Sequence, residues 1–64
     1  MDYEILMVEA AGPTGTHFEK AAAELAEKVT AAMREGWRPK GGVAVGQSQM
    51  TRAPYLFQAM VRGM

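Results

Sequence analysis

The stretch from Gly36 to Gly42, Gly-Trp-Arg-Pro-Lys-Gly-Gly, constrains the fold most, because a helix must end there and a strand must begin. Gly36 can end the helix in the left-handed conformation, which glycine adopts at little cost. Pro39 lacks a backbone N–H and biases the residue before it toward extended geometry, so the helix cannot resume. Trp37, the only tryptophan, is predicted to pack the helix end against a sheet.

An alanine-rich, amphipathic segment precedes this corner. Apolar residues recur at spacings of three and four, which predicts a helix from Thr16 to Glu35. Thr16 and Glu19 have the spacing of a capping box, and Ala10 to Gly15 is predicted to be a turn. The predicted core stripe of the helix consists of Phe18, Ala22, Leu25, Val29, Ala32 and Met33.

Three segments have the composition of strands: 3–9, 43–47 and 55–62. The glycines at 42 and 46 suit an edge strand or a bulge, whereas the last segment suits a central strand. A helical crossover makes the first two strands parallel, and a hairpin reverses the third. We therefore predict a single α+β domain over residues 1–64, with β-α-β-β order, a three-stranded sheet in spatial order 2-3-1, and one helix on one face.

Both faces of the first and last strands are rich in apolar residues, so the face without the helix needs another cover. The pattern does not decide whether that face carries the Tyr3 set or the Leu6 and Val8 set. With 64 residues and no cysteine, disulfides cannot support the small core, and a single histidine argues against a structural metal. We expect a homo-oligomer, at least a dimer, and Gln58 is expected to find its partners across that interface.

The formal net charge is zero, but the charges are unevenly distributed. Residues 1–32 hold six acids and two bases, whereas residues 33–64 hold one acid and five bases.

No apolar run is long enough for a membrane span. Two acids precede the first apolar run, which is unlike a signal peptide, so a cytoplasmic location is expected. Scattered hydroxyl residues and His17, predicted to face solvent in the first helical turn, offer no catalytic set, so no enzyme is expected.

The predicted ligand-binding residues fall into two groups. Trp37, Arg38 and Lys40 lie at the corner, and Gln47, Ser48 and Arg52 lie in or beside the long polar loop from 46 to 54. Arginine binds phosphate through two parallel hydrogen bonds and also stacks on rings. In an oligomer, the loop of one chain would close over the corner of another. The alternative is that these residues are solubilising charges at a loop and a helix end.

Three segments together resemble a known family: Tyr-Glu-Ile-Leu at residues 3–6, Glu-Gly-Trp-Arg-Pro-Lys-Gly-Gly-Val at 35–43, and Tyr-Leu-Phe-Gln-Ala-Met-Val-Arg at 55–62. The chain resembles the short bacterial and bacteriophage proteins grouped as domain of unknown function 1737. The resemblance implies a small stand-alone β-α-β-β domain, often phage-associated, with no established chemistry and no catalytic residues.

The resulting expectation is a non-enzymatic, homo-oligomeric binding protein without cofactor or metal. In a phage it would act in the host cytoplasm as an accessory or anti-defence protein that sequesters a small anionic, nucleotide-like ligand. The alternative is a protein–protein interaction module or an inhibitor of a host protein. A weak nucleic-acid binder is the third reading, and zero net charge argues against it because phosphate contacts dominate such affinity.

Overall fold

The computed structural model describes residues 1–12 and 15–63. One helix lies on one face of a three-stranded antiparallel sheet whose order is β1-β5-β4, and a two-stranded hairpin of β2 and β3 precedes the helix. The elements are β1 (Asp2–Glu9), β2 (Ala11–Gly12), β3 (Gly15–Thr16), α1 (Phe18–Arg34), β4 (Arg38–Gln47) and β5 (Pro54–Arg62).

The predicted α+β class and strand order are confirmed. β5, the last strand in the chain, lies in the centre and pairs antiparallel with both β1 and β4, so these two outer strands run in the same direction. The alternation of side chains along β5 then assigns a face to every residue paired with it. The helix-covered face includes Val8 of β1 and Leu56 and Met60 of β5, all buried.

The segment predicted to be a turn from Ala10 to Gly15 is instead largely a small hairpin. Ala11 pairs with Thr16 and Gly12 with Gly15, while residues 13 and 14 lie outside the described part of the chain. The amide of Ala10 donates to the carbonyl of Pro54 (2.8 Å), and the amide of His17 donates to the carbonyl of Ala10 (2.6 Å). The hairpin is therefore tied to the end of the main sheet.

The helix begins later than predicted, at Phe18, and the predicted capping box is wrong. Thr16 is extended because its backbone pairs within the hairpin, and His17 occupies the N-cap position without a side-chain capping bond. The helix end is as predicted. Gly36 has φ +92°, and its amide donates to the carbonyl of Met33 (3.1 Å), which gives the left-handed termination that glycine favours.

The core lies between α1 and the β1–β5 pair. Leu25 and Ala32 of the predicted stripe are buried, and Val29 packs at the edge of the core. Ala21 is buried in place of Ala22, and Phe18 and Met33 are about half exposed, so the predicted stripe was wrong at both ends. The physical reason is that the helix contacts only part of the sheet, and a narrow line of small residues suffices for that contact.

β4 is longer than predicted, because it begins at Arg38 and includes most of the corner. A bulge interrupts it: Lys40 pairs with Ala59 and Ala44 with Phe57, so residues 41–43 all stand opposite the single residue Gln58. Gly41 adopts φ +74° within this bulge. The glycines were predicted to suit an edge strand or a bulge, and β4 is an edge strand that contains a bulge.

Gln58 is buried in the central strand and holds the bulge in place. Its Nε2 donates to the carbonyl oxygens of Ala59 (3.0 Å), Gly41 (3.2 Å) and Lys40 (3.4 Å). These three acceptors lie in the same chain, whereas the sequence had led us to expect partners across an oligomer interface. A buried amide needs such partners, and the bulge supplies them.

Candidate functional site

The face of the sheet opposite α1, here called the open face, carries a broad apolar surface. On β1 it presents Tyr3, Ile5 and Met7, which are 61%, 54% and 48% exposed. The cross-strand pairing arranges the open face in four rows. In order, from β1 through β5 to β4, the rows are Tyr3–Val61–Arg38, Ile5–Ala59–Lys40, Met7–Phe57–Ala44 and Glu9–Tyr55–Gly46.

The open face is uneven in height. Tyr55 and Phe57 stand next to each other on β5, with ring centroids 6.2 Å apart and planes inclined by 27°. The Phe57 ring leans over Gly46, where a Cβ atom would lie 2.7 Å from Phe57 Cε2. We call Tyr55 and Phe57 the aromatic ridge. Ala59 and Val61 continue the same strand as a low trough, flanked by the longer side chains of β1 and β4.

A hydrogen bond fixes the outer end of the aromatic ridge. Tyr55 Oη donates to Glu9 Oε2 at 3.2 Å, across the β1–β5 pair. This hydrogen bond, together with the negative charge of Glu9 and some desolvation, raises the pKa of Tyr55 above its ordinary value of 10.0. The neutral phenol is therefore the form that the fold favours.

Arg38 and Lys40 lie in adjacent rows at the opposite end of the open face from the aromatic ridge. Both are exposed. In the described part of the chain the one ion pair joins Arg62 to Asp2 (3.5 Å), so neither Arg38 nor Lys40 is paired with a carboxylate of the described residues. Two cations in adjacent rows on one face are suited to binding an anion such as phosphate.

Trp37, the third predicted binding residue of the corner, lies on the other side of the sheet. It precedes Arg38 by one residue, and its ring stacks against the guanidinium of Arg62, with Cζ 4.4 Å from the ring centroid. Arg62 follows Met60 by two residues and so points to the helix-covered side. One chain therefore does not bring Trp37 together with Arg38 and Lys40 on one surface.

The loop from 48 to 53, here called the tip loop, is held by its own hydrogen bonds. Gln47 Nε2 donates to the carbonyl of Arg52 (2.8 Å), and Ser48 Oγ accepts from the amide of Thr51 (3.4 Å). The carbonyl of Ser48 accepts from the amide of Arg52 (2.8 Å). Gln47 and Ser48, predicted to contact ligand, thus have a clear part in shaping the loop, while the Arg52 side chain is exposed.

The two predicted groups stand at opposite ends of β4. Arg38 and Gln47 pair with Val61 and Pro54, which are seven residues apart on β5, a span of roughly 23 Å. A small ligand cannot bridge that distance within one chain. Sequence reasoning identified both groups but missed the aromatic ridge and the Glu9–Tyr55 bond, which depend on strand register and have no local signature.

A cleft of about 280 Å³ lies beside the hairpin and includes Glu9, His17, Lys20 and Glu24 in its lining. His17 is exposed in the structure. Within residues 1–12 and 15–63, no three side chains of the histidine, cysteine, aspartate or glutamate types lie together as metal ligands would. The helix of this part of the chain is too polar or too short to span a membrane.

A family model described as "Domain of unknown function (DUF1737)" matches residues 18–63, well over half of the chain. The match contains two of the three segments on which the resemblance was based, 35–43 and 55–62, and residues 3–6 lie outside it. No curated protein and no solved structure matches the chain.

Proposed function

We propose a function for this chain, which belongs to the domain of unknown function 1737 family. It is a small non-enzymatic binding module in which two copies pack their open faces together, and the assembly binds a small anionic, nucleotide-like ligand through its basic residues. The observation that carries the proposal is the exposed apolar surface of the open face, beside two cations that form no ion pair with a described carboxylate.

The surface area of the single chain supports self-association. Its accessible surface is 4765 Å². The scaling for folded monomers gives only about 4,000 Å² for a chain of 6.9 kDa. The excess of roughly 800 Å² equals the area that each partner buries in a protein–protein interface of standard size.

The shape of the chain points the same way. The Cα radius of gyration is 12.6 Å, whereas a compact domain of this length has about 10.7 Å. The principal extents of 41, 22 and 15 Å describe a thin slab rather than a sphere. Stacking two slabs through their broad faces would double the thickness and cover the open face, which is the standard arrangement of a β-sandwich core.

The chemistry of the open face suits a ligand-binding assembly. Burial of aromatic and aliphatic side chains supplies the association energy, at about 25 cal/mol per Å² of apolar surface. Arg38 and Lys40 stand at one end of this surface, so they remain at the rim of a face-to-face dimer. A polar, charged rim around an apolar centre is the usual composition of such interfaces.

The test uses two lysine substitutions at equally exposed positions. Ile5, on the β1 strand of the open face, is 54% exposed, and Met33, on the helix, is 53% exposed. We expect Ile5→Lys to weaken dimerisation at least about 100-fold, because a symmetric dimer would bury the new ammonium group of both copies. Met33→Lys should leave the dimer intact.

Sedimentation velocity over micromolar concentrations, with circular dichroism to confirm folding, measures the outcome. A wild-type chain that is well folded and monomeric at tens of micromolar would overturn the proposal, and a different protein would then be the better occupant of the open face. Equal effects of the two substitutions would also contradict it, since association would not depend on the open face.

A further inference from the structure

We infer that the two copies meet about a two-fold axis that runs across the strands, so that the aromatic ridge of each copy enters the trough of the other. In this arrangement the partner copy completes an anion site, formed by Arg38 and Lys40 of one chain and Arg52 of the other. The inference rests on the proposed function, because it assumes that the open faces meet.

The heights of the side chains on β5 select this axis. The greatest overlap of the four rows places the axis midway along them, between Ala59 and Phe57. A two-fold across the strands then sets the ridge, Tyr55 and Phe57, over Val61 and Ala59 of the partner subunit. Large side chains meet small ones, as dense packing requires.

The other in-plane two-fold runs along the strands and gives a poor fit. It would place each β5 residue over itself, so the Phe57 rings would collide and the two Ala59 side chains would face each other across a gap. It would also place β1 over β4 of the partner. Overpacking at the Phe57 rings and a cavity between the Ala59 side chains would both destabilise this arrangement.

The favoured axis brings the two predicted binding groups together. It sets Lys40 and Arg38 over the partner's Ala44 and Gly46, where small residues leave room for long side chains. The tip loop of the partner follows directly after its β4, so it reaches the same end of the interface. The separation of roughly 23 Å within one chain thereby becomes proximity between chains, once at each end of the dimer.

Arg52 is suited to complete this site. Its φ of 60° lies in the left-handed region, which an arginine occupies at some cost and which glycine or asparagine would occupy more easily. The hydrogen bonds of the tip loop hold its backbone in this conformation. Three cations, two on a strand and one on a rigid loop, would bind the oxygens of a phosphate group from two sides.

Cross-linking between introduced cysteines tests the axis. The sequence contains no cysteine, so only the introduced thiols can react. Stacked sheets lie about 10 Å apart, too far for a disulfide, so a bismaleimide with a spacer long enough to bridge that gap is used. The favoured axis predicts that Ile5→Cys cross-links with Met7→Cys in a mixture of the two variants. The other axis predicts instead that Met7→Cys cross-links with Ala44→Cys, and that result would overturn the inference.

Complementation tests the composite site, with inorganic phosphate and adenosine monophosphate as calorimetric probes. We expect wild type to bind one probe molecule per chain, and both Arg38→Ala/Lys40→Ala and Arg52→Ala to bind at least about tenfold more weakly. In an equimolar mixture, half of the dimers are mixed and each has one intact site, so about a quarter of the wild-type sites should return.

Sedimentation of the same samples separates the two proposals. If the variants remain dimeric and the mixture restores no sites, the composite site is refuted while the dimer stands. If wild type binds neither probe, the anion site is likewise refuted. If wild type is a folded monomer, the proposed function fails first and the composite site fails with it.

Discussion

Replacing Gln58 by methionine tests how the edge strand is held. The two side chains have similar length and volume, but methionine cannot donate to the carbonyls of Ala59, Gly41 and Lys40. The Nε2 group carries two hydrogens, so the three contacts at 3.0, 3.2 and 3.4 Å amount to about two hydrogen bonds, with the longest sharing a donor.

The magnitude follows from where the three carbonyls lie. Two hydrogen bonds contribute about 1–3 kcal/mol of net stability together. The carbonyls of Lys40 and Gly41 belong to the exposed edge strand and can turn to water, whereas that of Ala59 lies in the central strand. We therefore expect Gln58→Met to lower the free energy of unfolding by about 1–2 kcal/mol, with a fall in Tm of about 4–8 °C per kcal/mol.

Gln47→Met is the matched control, because Gln47 also donates to a backbone carbonyl but is exposed. Water can replace its bond to Arg52, so the expected change is within about 0.5 kcal/mol. Urea unfolding at one fixed protein concentration measures both variants, and amide hydrogen exchange at Gly41 reports on the bulge. Equal stability of Gln58→Met and wild type would refute the argument that the buried amide holds the bulge.

Two further predictions concern the open face. Gly46→Ala should displace the Phe57 ring, since the new Cβ would lie 2.7 Å from Cε2, and should weaken dimerisation. At Gly42 a new Cβ meets no atom of the described residues within 4 Å, so Gly42→Ala should add about 0.4–1 kcal/mol of stability. Sedimentation velocity measures dimerisation of the two variants, and urea unfolding midpoints measure their stability. Equal effects of Gly46→Ala and Gly42→Ala would contradict the assignment of Phe57 to the aromatic ridge. In a Tyr3→Phe background, absorbance titration should place the pKa of Tyr55 above 10.0, and Glu9→Gln should lower it. Since the folded state raises this pKa, the stability from the bond is fully present below the pKa of the unfolded chain and is lost as pH rises through the folded value. Glutamine keeps an acceptor oxygen but carries no charge, so an unchanged titration after Glu9→Gln would refute the role of the Glu9 charge.

Much of the fold was predictable because its signals are local. Gly36 followed by Pro39 ends the helix whatever surrounds it, and the short connection between β4 and β5 requires an antiparallel pair. The start of the helix was not predictable in this way. Thr16 is a good capping residue by type, but pairing with Ala11 holds it extended, and that pairing depends on contacts that residue type does not reveal.

The candidate site was predictable only in part, for a related reason. The basic character of Arg38, Lys40 and Arg52 is plain in the sequence, but their arrangement depends on the first residue of β4. Because β4 begins at Arg38 rather than Val43, the side chains of the corner alternate between the two faces, and Trp37 separates from its neighbour. A shift of one residue in that register would have reversed the two faces.

The distribution of aromatic residues supports the proposed second copy on the open face. Three of its four phenylalanine and tyrosine residues, Tyr3, Tyr55 and Phe57, lie on the open face, whereas the helix side relies on alanine, leucine and valine. Aromatic side chains bury about 150–250 Å² each, so most of the largest apolar area in this chain is outside its own core. In the proposed dimer, folding and association are coupled through this surface, so a defect in the open face is expected to affect both. A defect at Gln58 removes hydrogen bonds within one chain, so comparing the two classes of variant across protein concentrations separates the stability of the chain from that of the proposed dimer.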